Sequence, residues 1–328
     1  MILLTGGAGF IGSLLLAELN KAGREDIIVV DRLRDTSKWK NLNGLKFENY
    51  IHADEFFAGH DALYPEIDFI FHLGASSSTT VIDMDYLIYN NVNYSKNLYD
   101  LALQNNAPFI YASSAATYGA GENDYRDEHK LIRSLRPLNP YGYSKQLFDE
   151  WVVRQTRKPP LWLGLKFFNV FGPNEYHKAS MRSLVHKAFE QIHDKGSVGL
   201  FKSHKEGIAD GMQRRDFVYA VDIVRAMMEM MKVNDANLSG IYNMGTGKSR
   251  TFYDLVTATF TALGRAPEIN FIDMPPEMRG QYQYFTEANM QKFTKLLPHF
   301  KFSALEDAVT DYVQNYLCQA NQYYPGAD

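Results

Sequence analysis

A glycine-rich turn near the start of the chain constrains its fold more than any other feature. Gly6, Gly9 and Gly12 follow a short apolar run, 1–4, and precede a helical pattern over 13–21. Gly6 allows the tight turn, Gly9 lets the backbone approach a phosphate closely, and Gly12 lets the helix pack close to the strand. The N–H groups of the first helical turn then point at the bound anion. A buried strand, a glycine turn and a helix in this order predict a site for the pyrophosphate of a dinucleotide.

A second strand pattern strengthens this prediction. The run 27–31, Ile-Ile-Val-Val-Asp, is apolar and ends on Asp31, which lies 19 residues beyond Gly12. An acid at this distance is where a dinucleotide-binding fold places the residue that binds the adenosine ribose. The first two glycines are one residue further apart than in the common G-x-G-x-x-G pattern. A purely structural glycine turn therefore stays open as the alternative.

Strand and helix patterns alternate over the first half of the chain. Further buried strands are predicted at 68–73, 108–113 and 161–168, with helices over 85–106 and 143–155. Strands that alternate with helices indicate βαβ units and a parallel sheet. The predicted fold class is therefore α/β, a Rossmann doubly wound parallel sheet.

The second half has a looser pattern, and we expect it to form a smaller C-terminal substrate-binding lobe. Glycine, proline and polar residues become frequent there. We predict a Rossmann domain over 1–168, to which about 215–242 returns, and a mainly substrate-binding domain over 169–328. Residues 202–214 are predicted to form a loop. Three helices are predicted in this half, near 179–195, 222–233 and 251–263.

Composition and charge exclude several classes of protein. The 328 residues carry a net charge of −4, so no basic surface for nucleic acid is expected. Cys318 is the only cysteine, which rules out an intrachain disulfide and a thiolate metal cluster and fits a reducing compartment. No apolar run approaches the ~18 residues of a membrane span, and the early glycine turn leaves no room for a signal peptide. We expect a cytoplasmic protein that binds no nucleic acid, no membrane and no metal.

A second group of residues points to hydride-transfer chemistry. Tyr141 and Lys145 are four apart and so share one face of a helix, and Ser113 and Ser114 end the strand before it. A phenolate can accept the proton of a secondary alcohol while a hydride leaves, and a nearby lysine lowers the tyrosine pKa from its usual value of about 10. The hydroxyl of Ser114 can hold the substrate oxygen. A Tyr-x-x-x-Lys spacing also occurs by chance, but its place after a dinucleotide motif favours the catalytic interpretation.

Several motifs together resemble those of the extended short-chain dehydrogenase/reductases that act on nucleotide sugars. They occur along most of the chain, in the order typical of that family. The motifs are T-G-G-A-G-F-I-G (5–12), H-L-G-A (72–75), N-N-V-N (90–93), Y-A-S-S-A-A-T-Y-G (111–119), N-P-Y-G-Y-S-K (139–145), F-N-V-F-G-P (168–173), R-D-F-V-Y (215–219) and Y-N-M-G-T-G (242–247).

Three less general motifs narrow the resemblance to the branch of this family that epimerises ADP-heptose at C6. This branch prepares the heptose of the lipopolysaccharide inner core. The resemblance implies an NADP-dependent isomerase that works as a homo-oligomer, in that branch a homopentamer. The three motifs are S-S-S-T-T (76–80), F-N-V-F-G-P-N-E-Y-H-K-A-S-M (168–181) and R-G-Q-Y-Q-Y-F-T (279–286).

The resemblance also implies roles for individual residues. Tyr141 and Lys178 would be the two acid/base residues, and Lys145 and Ser114 would complete the catalytic group. The residues implied to contact the cofactor are Gly6, Gly9, Phe10, Ile11, Gly12, Asp31, Arg32, Lys38, Leu73, Gly74, Ala75, Ser76, Ser77, Asn90, Lys145, Val170 and Lys178. The residues implied to contact the substrate are Ser114, Asn169, Ser180, Lys187, Phe201, Lys202, Ser203, His204, Arg215 and Tyr282.

Some of these substrate residues have alternatives. His186 stands beside Lys187 and could take its place in the alignment, and the loop after Phe201 is longer here than in relatives. Without the resemblance, the polar residues of the second lobe would be taken as ordinary solvated side chains.

The charges beside the predicted ribose site favour NADP over NAD. Asp31 alone would favour NAD, because a carboxylate accepts from the ribose 2′-OH and repels a 2′-phosphate. Arg32 follows directly and Lys38 lies in the next loop, and either cation can reach a phosphate. Because two cations outweigh one acid, we predict NADP.

Other functions of the same fold stay open beside the epimerase. A UDP-galactose-type 4-epimerase would differ in the nucleotide that it binds. A non-catalytic NADP-binding regulatory protein would keep the glycine turn but tends to lose the Tyr/Lys pair, which is intact here. A dehydratase is disfavoured, because dehydratases of this family carry an Asp-Glu pair where this chain has Ala115 and Ala116.

Overall fold

Strands and helices alternate along most of the chain in the computed structural model, which describes residues 1–58, 66–279 and 282–327. Gly280 and Gln281 of the motif at 279–286 lie outside the described residues. The strands are β1 (Ile2–Thr5), β2 (Ile27–Asp31), β3 (Asn49–His52), β4 (Phe69–His72), β5 (Phe109–Ser114), β6 (Trp162–Phe167), β7 (Asn169–Phe171), β8 (Val198–Phe201), β9 (Arg214–Arg215), β10 (Phe217–Tyr219), β11 (Gly240–Met244), β12 (Arg250–Thr251) and β13 (Ile269–Ile272). The helices are α1 (Phe10–Lys21), α2 (Met84–Leu87), α3 (Tyr94–Gln104), α4 (Pro140–Val153), α5 (Leu184–Lys195), α6 (Ala220–Met230), α7 (Phe252–Ala262), α8 (Pro276–Arg279), α9 (Gln291–Leu296) and α10 (Leu305–Tyr312).

The central sheet has seven strands in the order β11-β6-β5-β4-β1-β2-β3. Every neighbouring pair in it is parallel. The strand order reverses between β1 and β4, because the chain moves outward through β2 and β3 and then returns to the other side of β1. This is the predicted Rossmann doubly wound topology.

The two faces of the sheet bury alternate residues of the same strands. Ile2 and Leu4 face one hydrophobic core, which contains the apolar residues of α1 and α6. Leu3 and Ile70 face the other core, which contains those of α3 and α4. Because both faces are covered, these strands have continuous apolar sequences rather than alternating ones.

The second half of the chain contributes to both lobes. β8 and β13 pair in parallel, and α5 and α7 pack beside them around a separate core. In contrast, β11 pairs with β6 in the central sheet and α6 packs against α1. The division of the chain at residue 168 stays a prediction.

The helix that carries the predicted catalytic pair begins earlier than expected. It was predicted over 143–155, but α4 starts at Pro140 because the Oδ1 of Asn139 accepts a hydrogen bond from the Gly142 N–H at 2.8 Å. An N-cap of this kind satisfies a backbone donor that the helix leaves without a partner. The Tyr-Lys pair therefore lies in the first two turns of α4.

A second helix begins later than expected. It was predicted from residue 179, but Ala179 has a φ of +47°, and the segment Tyr176–Met181 forms a short 3₁₀ turn instead. The α-helix starts at Leu184, where the Ser183 side chain caps it. Lys178 therefore lies inside the irregular segment, before the helix begins.

The other predicted elements of the first half are confirmed closely. The helical pattern at 85–106 covers α2, a π-helical stretch at Ile88–Asn93 and α3. β3 and all the strands from β7 to β13 were not predicted; polar or exposed residues interrupt the apolar patterns of β3, β8 and β13, and β9 and β12 have only two residues each.

In the described ranges, no helix has both the length and the apolar character that a membrane span requires.

Candidate active site

The carboxyl ends of β1 and β4 meet at the base of a long cleft. The chain after β1 enters α1 on one face of the sheet, and the chain after β4 leads to the other face, so this is where doubly wound sheets bind ligands. Gly6 has a φ of +72°, and a Cβ there would lie 2.6 Å from the Gly74 nitrogen. A Cβ at Gly12 would lie 2.1 Å from the Gly6 oxygen. Only glycine fits at either position, and the resulting close approach leaves a backbone cradle below the N-terminus of α1 that fits a dinucleotide pyrophosphate.

Asp31 ends β2 and is buried beside this cradle. Its Oδ2 accepts a hydrogen bond from the Ala8 N–H at 2.9 Å, and its Oδ1 accepts from the Arg32 N–H at 2.7 Å and from Lys38. The guanidinium of Arg32 pairs with Asp54 and donates to the Asn90 Oδ1 at 2.6 Å. Both predicted phosphate-binding cations are therefore at the cleft, and each is already paired with an acid.

The cleft has a volume of about 1050 Å³. All the residues implied to contact the cofactor and all four implied catalytic residues line it, although they come from elements far apart in the chain. The lining of the cleft includes Gly6, Gly9, Phe10, Ile11, Gly12, Asp31, Arg32, Lys38, Leu73, Gly74, Ala75, Ser76, Ser77, Asn90, Ser114, Tyr141, Lys145, Asn169, Val170, Lys178 and Ser180.

Tyr141, Lys145 and Ser114 lie together on one side of the cleft. Burial raises the pKa of Tyr141, and a hydrogen bond with Ser114 opposes that rise. Burial lowers the pKa of Lys145 to about 8, and its Nζ donates to the Ala112 oxygen at 2.9 Å. The phenol is therefore held neutral in the free protein, with a cation and a hydroxyl on the same side of the cleft.

A buried ion pair lies behind these residues, and the sequence analysis missed it. The Nζ of Lys166 in β6 lies 2.6 Å from the Oδ2 of Asp149 in α4. The same carboxylate accepts hydrogen bonds from Tyr111 at 2.8 Å and from Ser113 at 2.7 Å. Two sequence signals could have found it: Asp149 follows Lys145 at helical spacing, and Lys166 interrupts an apolar strand. The pair joins α4 to β6, and the hydrogen bonds from Tyr111 and Ser113 join the same carboxylate to β5, the strand that ends on Ser114.

Lys178 reaches the cleft from a loop that follows β7. Its Nζ lies 5.4 Å from the centre of the Phe10 ring. Asn174, which has a φ of +70°, anchors this loop by donating to the Ser13 Oγ at 2.9 Å. Burial lowers the pKa of Lys178, and the charge of Glu175 opposes this effect. A second proton carrier on a different element therefore shares the cleft with Tyr141.

A smaller cavity of about 370 Å³ adjoins the main cleft. Leu184 and Phe252 line both spaces, so the two cavities are neighbours. Lys187, Phe201 and Tyr282 line the smaller one. This cavity brings together three of the residues implied to contact the substrate.

Arg215 lies buried beside this cavity. Its guanidinium is 5.2 Å from the centre of the Tyr282 ring and 5.5 Å from that of Phe252. Burial lowers the pKa of Arg215.

Four implied substrate residues line neither space: Arg215, which lies beside the smaller one, and Lys202, Ser203 and His204. Lys202 pairs with Asp273 at 3.3 Å, and the backbone N–H of His204 donates to the Tyr284 hydroxyl at 3.3 Å. Ser203 donates its backbone N–H to the Asp210 Oδ1 at 2.7 Å. A substrate role for Lys202, Ser203 and His204 stays a prediction.

A Rossmann sheet whose glycine turn, Tyr-Lys pair and strand-end serine share one cleft defines a class of nucleotide-binding enzymes. The chain belongs to the NAD dependent epimerase/dehydratase family, whose pattern matches residues 2–245. The family resemblance drawn from the motifs is therefore confirmed.

Individual relatives narrow the likeness further. The chain is 47% identical to an ADP-L-glycero-D-manno-heptose-6-epimerase of Nitratidesulfovibrio vulgaris, over 98% of this chain and 100% of the relative. It resembles the crystal structure of the Helicobacter pylori ADP-L-glycero-D-manno-heptose-6-epimerase with a TM-score of 0.79 and 29% identity, covering 96% of this chain and 95% of that one. It also resembles a UDP-N-acetylglucosamine 4-epimerase of Methanobrevibacter ruminantium, with a TM-score of 0.80 and 25% identity, covering 95% and 96% of the two chains.

Proposed function

We propose that this protein epimerises ADP-D-glycero-D-manno-heptose at C6 to the L-glycero form, through a transient ketone, in the synthesis of lipopolysaccharide inner-core precursors. The observation that carries the proposal is that Tyr141 and Lys178, two proton carriers on separate elements, line one cleft with the glycine cradle. The 47% identical relative named for this reaction supports the choice of substrate. A single acid/base residue suffices for a dehydrogenase, whereas in inversion the ketone turns, and a second donor can reach a carbonyl oxygen that then points away from Tyr141.

The cofactor that we propose for this reaction is a tightly bound NADP, which when bound would supply reversible hydride transfer at C6. Gly6, Gly9 and Gly12 would hold its pyrophosphate at the N-terminus of α1, where the backbone cradle fits such a group. Lys38 neutralises Asp31, which would otherwise repel a 2′-phosphate. The partner of Arg32, Asp54, is half exposed, so exchanging this surface carboxylate for a phosphate costs little.

In the oxidation, Tyr141 takes the proton of the C6 hydroxyl while the C6–H bond breaks and its hydride leaves. Ser114 holds the hydroxyl oxygen. Burial raises the pKa of Tyr141, so the cation of Lys145 and the positive charge of the oxidised cofactor are needed to favour the phenolate.

In the reduction, the ketone presents its other face to the same hydride. The new C6–H bond forms on that face, and Lys178 gives its proton to the carbonyl oxygen, which now points away from Tyr141. Burial lowers the pKa of Lys178 from its usual value, which brings a lysine closer to proton exchange at neutral pH. The net result is inversion with no change in oxidation state.

The smaller cavity is where we place the ADP end of the substrate. Lys187 and Arg215 supply positive charge for the diphosphate, and Phe201 and Tyr282 supply aromatic faces for the adenine. Asn169 and Ser180 line the main cleft, where the heptose would lie.

We also propose that the protein works in the cytoplasm as a homo-oligomer. The support for both points is the family resemblance, which in this branch implies a homopentamer.

The proposal is tested by incubating the purified protein with ADP-D-glycero-D-manno-heptose, without added cofactor, and following the C6 configuration by NMR. We expect equilibration of the two epimers without net formation of NADPH, and no turnover of UDP-glucose. Denaturing the same protein should release mainly NADP, and release of mainly NAD would contradict the cofactor assignment.

Lys178→Met is the decisive variant for the two-donor mechanism. We expect it to block epimerisation, and Lys187→Met to act as its control by raising KM with a smaller effect on kcat. Full epimerase activity in Lys178→Met would refute the second donor.

A further inference from the structure

A buried carboxylate lies one turn before Lys178. We propose that Glu175 is the counter-charge of Lys178 and acts through it as a positioning residue, an inference that rests on the proposed role of Lys178. Glu175 is 1% exposed, and its backbone oxygen accepts a hydrogen bond from the Lys178 N–H at 3.0 Å. The carboxylate and the amine are therefore carried on one tight turn of the same loop.

Burial raises the pKa of the Glu175 carboxyl group, and the hydrogen bonds from Ser183 and Tyr312 and the charge of Lys178 oppose that rise in favour of the carboxylate. Its carboxylate contacts three groups: the Ser183 N–H at 2.5 Å, the Ser183 Oγ at 2.6 Å and the Tyr312 hydroxyl at 3.0 Å. The Ser183 Oγ already accepts from the His186 N–H at 3.3 Å, so its own hydrogen is free to point at Glu175. Because every partner donates, the carboxyl group has no need of a proton of its own.

A series of hydrogen-bonded side chains directs the hydroxyl hydrogen of Tyr312 toward Glu175. The Nη1 of Arg182 lies 2.8 Å from the His186 Nε2, and because arginine can only donate, Nε2 must be the acceptor. The hydrogen of the neutral ring is then on Nδ1, which lies 3.2 Å from the Tyr312 oxygen. Tyr312 accepts that bond and donates its own hydrogen to Glu175. This series of hydrogen bonds ends at the Glu175 carboxylate, which therefore accepts.

The negative charge of Glu175 is balanced by two nearby lysines that form no direct salt bridge with it. Among the described residues, no cation lies within salt-bridge distance of Glu175, but its charge favours the protonated forms of Lys178 and Lys187. The other charged or titratable groups around this pair are Lys38 and His177 on the cofactor side, Arg182 and His186 at the start of α5, and Tyr176 and Tyr312 beside the carboxylate. Burial lowers the pKa of Lys178, and the negative charge of Glu175 opposes that decrease.

The coupling is tested on Glu175→Gln by competitive acetylation of Lys178. The full-length protein with its bound nucleotide is treated with acetic anhydride across a pH series, and the Lys178 peptide is quantified by mass spectrometry. Since removal of a nearby opposite charge shifts a pKa by about one unit or more, we expect the Lys178 midpoint to fall by about one pH unit. We also expect kcat to fall several-fold with KM nearly unchanged.

Glu190→Gln is the matched control, because Glu190 lies on α5, is half exposed and contacts Arg182 and His186 rather than Glu175 or Lys178. We expect it to leave the Lys178 midpoint in place. A midpoint that is equal in Glu175→Gln and in the unchanged protein would overturn the proposal, because a merely structural glutamate would not alter the titration of Lys178.

A reciprocal measurement covers the case in which Glu175→Gln does not fold. Coupling between two sites acts equally in both directions, so Lys178→Met should raise the pKa of Glu175 by the same amount, read by ¹³C NMR of its carboxyl carbon. An unchanged Glu175 pKa would overturn the proposal. Full epimerase activity of Lys178→Met would instead refute the two-donor function, while both titrations would still report whether the residues are coupled.

Discussion

Breaking the buried Asp149–Lys166 pair should cost more stability than replacing it as a whole. Asp149 and Lys166 are 0% and 1% exposed, and the carboxylate accepts three hydrogen bonds of 2.6 to 2.8 Å. Removing one partner of such a pair leaves an uncompensated buried charge and costs about 3–5 kcal/mol. We therefore expect Asp149→Leu and Lys166→Met each to lower the free energy of unfolding by about that amount.

The double variant should be far less destabilised than the sum of the two single variants. It leaves no buried charge, and the remaining cost comes from the hydroxyls of Tyr111, Ser113 and Thr117, which lose a partner at about 1 kcal/mol each. The assay is urea unfolding of all four proteins, read as a double-mutant cycle. Single variants that cost less than about 1 kcal/mol, or a double variant that equals their sum, would refute the reasoning.

Three further predictions concern the cleft. Gly12→Ala should abolish nucleotide retention in the purified protein, because its Cβ would lie 2.1 Å from the Gly6 oxygen; retention of a full complement of nucleotide, measured after denaturation, would contradict this. Tyr141→Phe should lower kcat by about 10²–10⁴-fold with nucleotide content unchanged, since it removes only the phenolic oxygen; near-normal turnover would mean that Tyr141 is structural. Burial lowers the pKa of His177 to about 4, so the unfolded chain takes up this proton first and the free energy of unfolding should fall as the pH drops from about 6.5 to about 4. His177→Gln should flatten that slope in acid unfolding curves, and an unchanged slope would exclude His177 as its source.

Local sequence features predicted well which residues line the cleft, whereas the roles of those residues stay a prediction. The glycine turn, the acid that ends β2 and the Tyr-Lys spacing each depend on contacts within a few residues, and parallel strand ends converge by topology. The sequence therefore predicted that Gly6, Asp31, Ser114 and Tyr141 would meet.

Contacts between distant elements could not be predicted in this way. Asp149 and Lys166 are recognisable as polar residues in apolar surroundings, but nothing in their spacing pairs them across α4 and β6. The same holds for Glu175 and Tyr312, which meet only because α10 packs against the loop that carries Lys178. The pairing of Arg32 with Asp54 likewise depends on β3, and β3 was not predicted because its sequence is polar.

Helix boundaries show a related limit. The start of α5 is set by the positive φ of Ala179 and by the Ser183 cap, which are backbone events rather than hydrophobic periodicity. Periodicity therefore predicted a helix from residue 179, whereas Lys178 and the residues up to Met181 form an irregular turn at the cleft.

The most direct test of the mechanism is the fate of the hydrogen on C6. The protein is incubated in ordinary water with ADP-D-glycero-D-manno-heptose that carries deuterium at C6, and the L-glycero product is analysed by NMR and mass spectrometry. Transient oxidation with return of the same hydride predicts that the product keeps its deuterium at C6, with the configuration inverted. Loss of the deuterium to water would contradict it, because that result requires removal of C6–H as a proton.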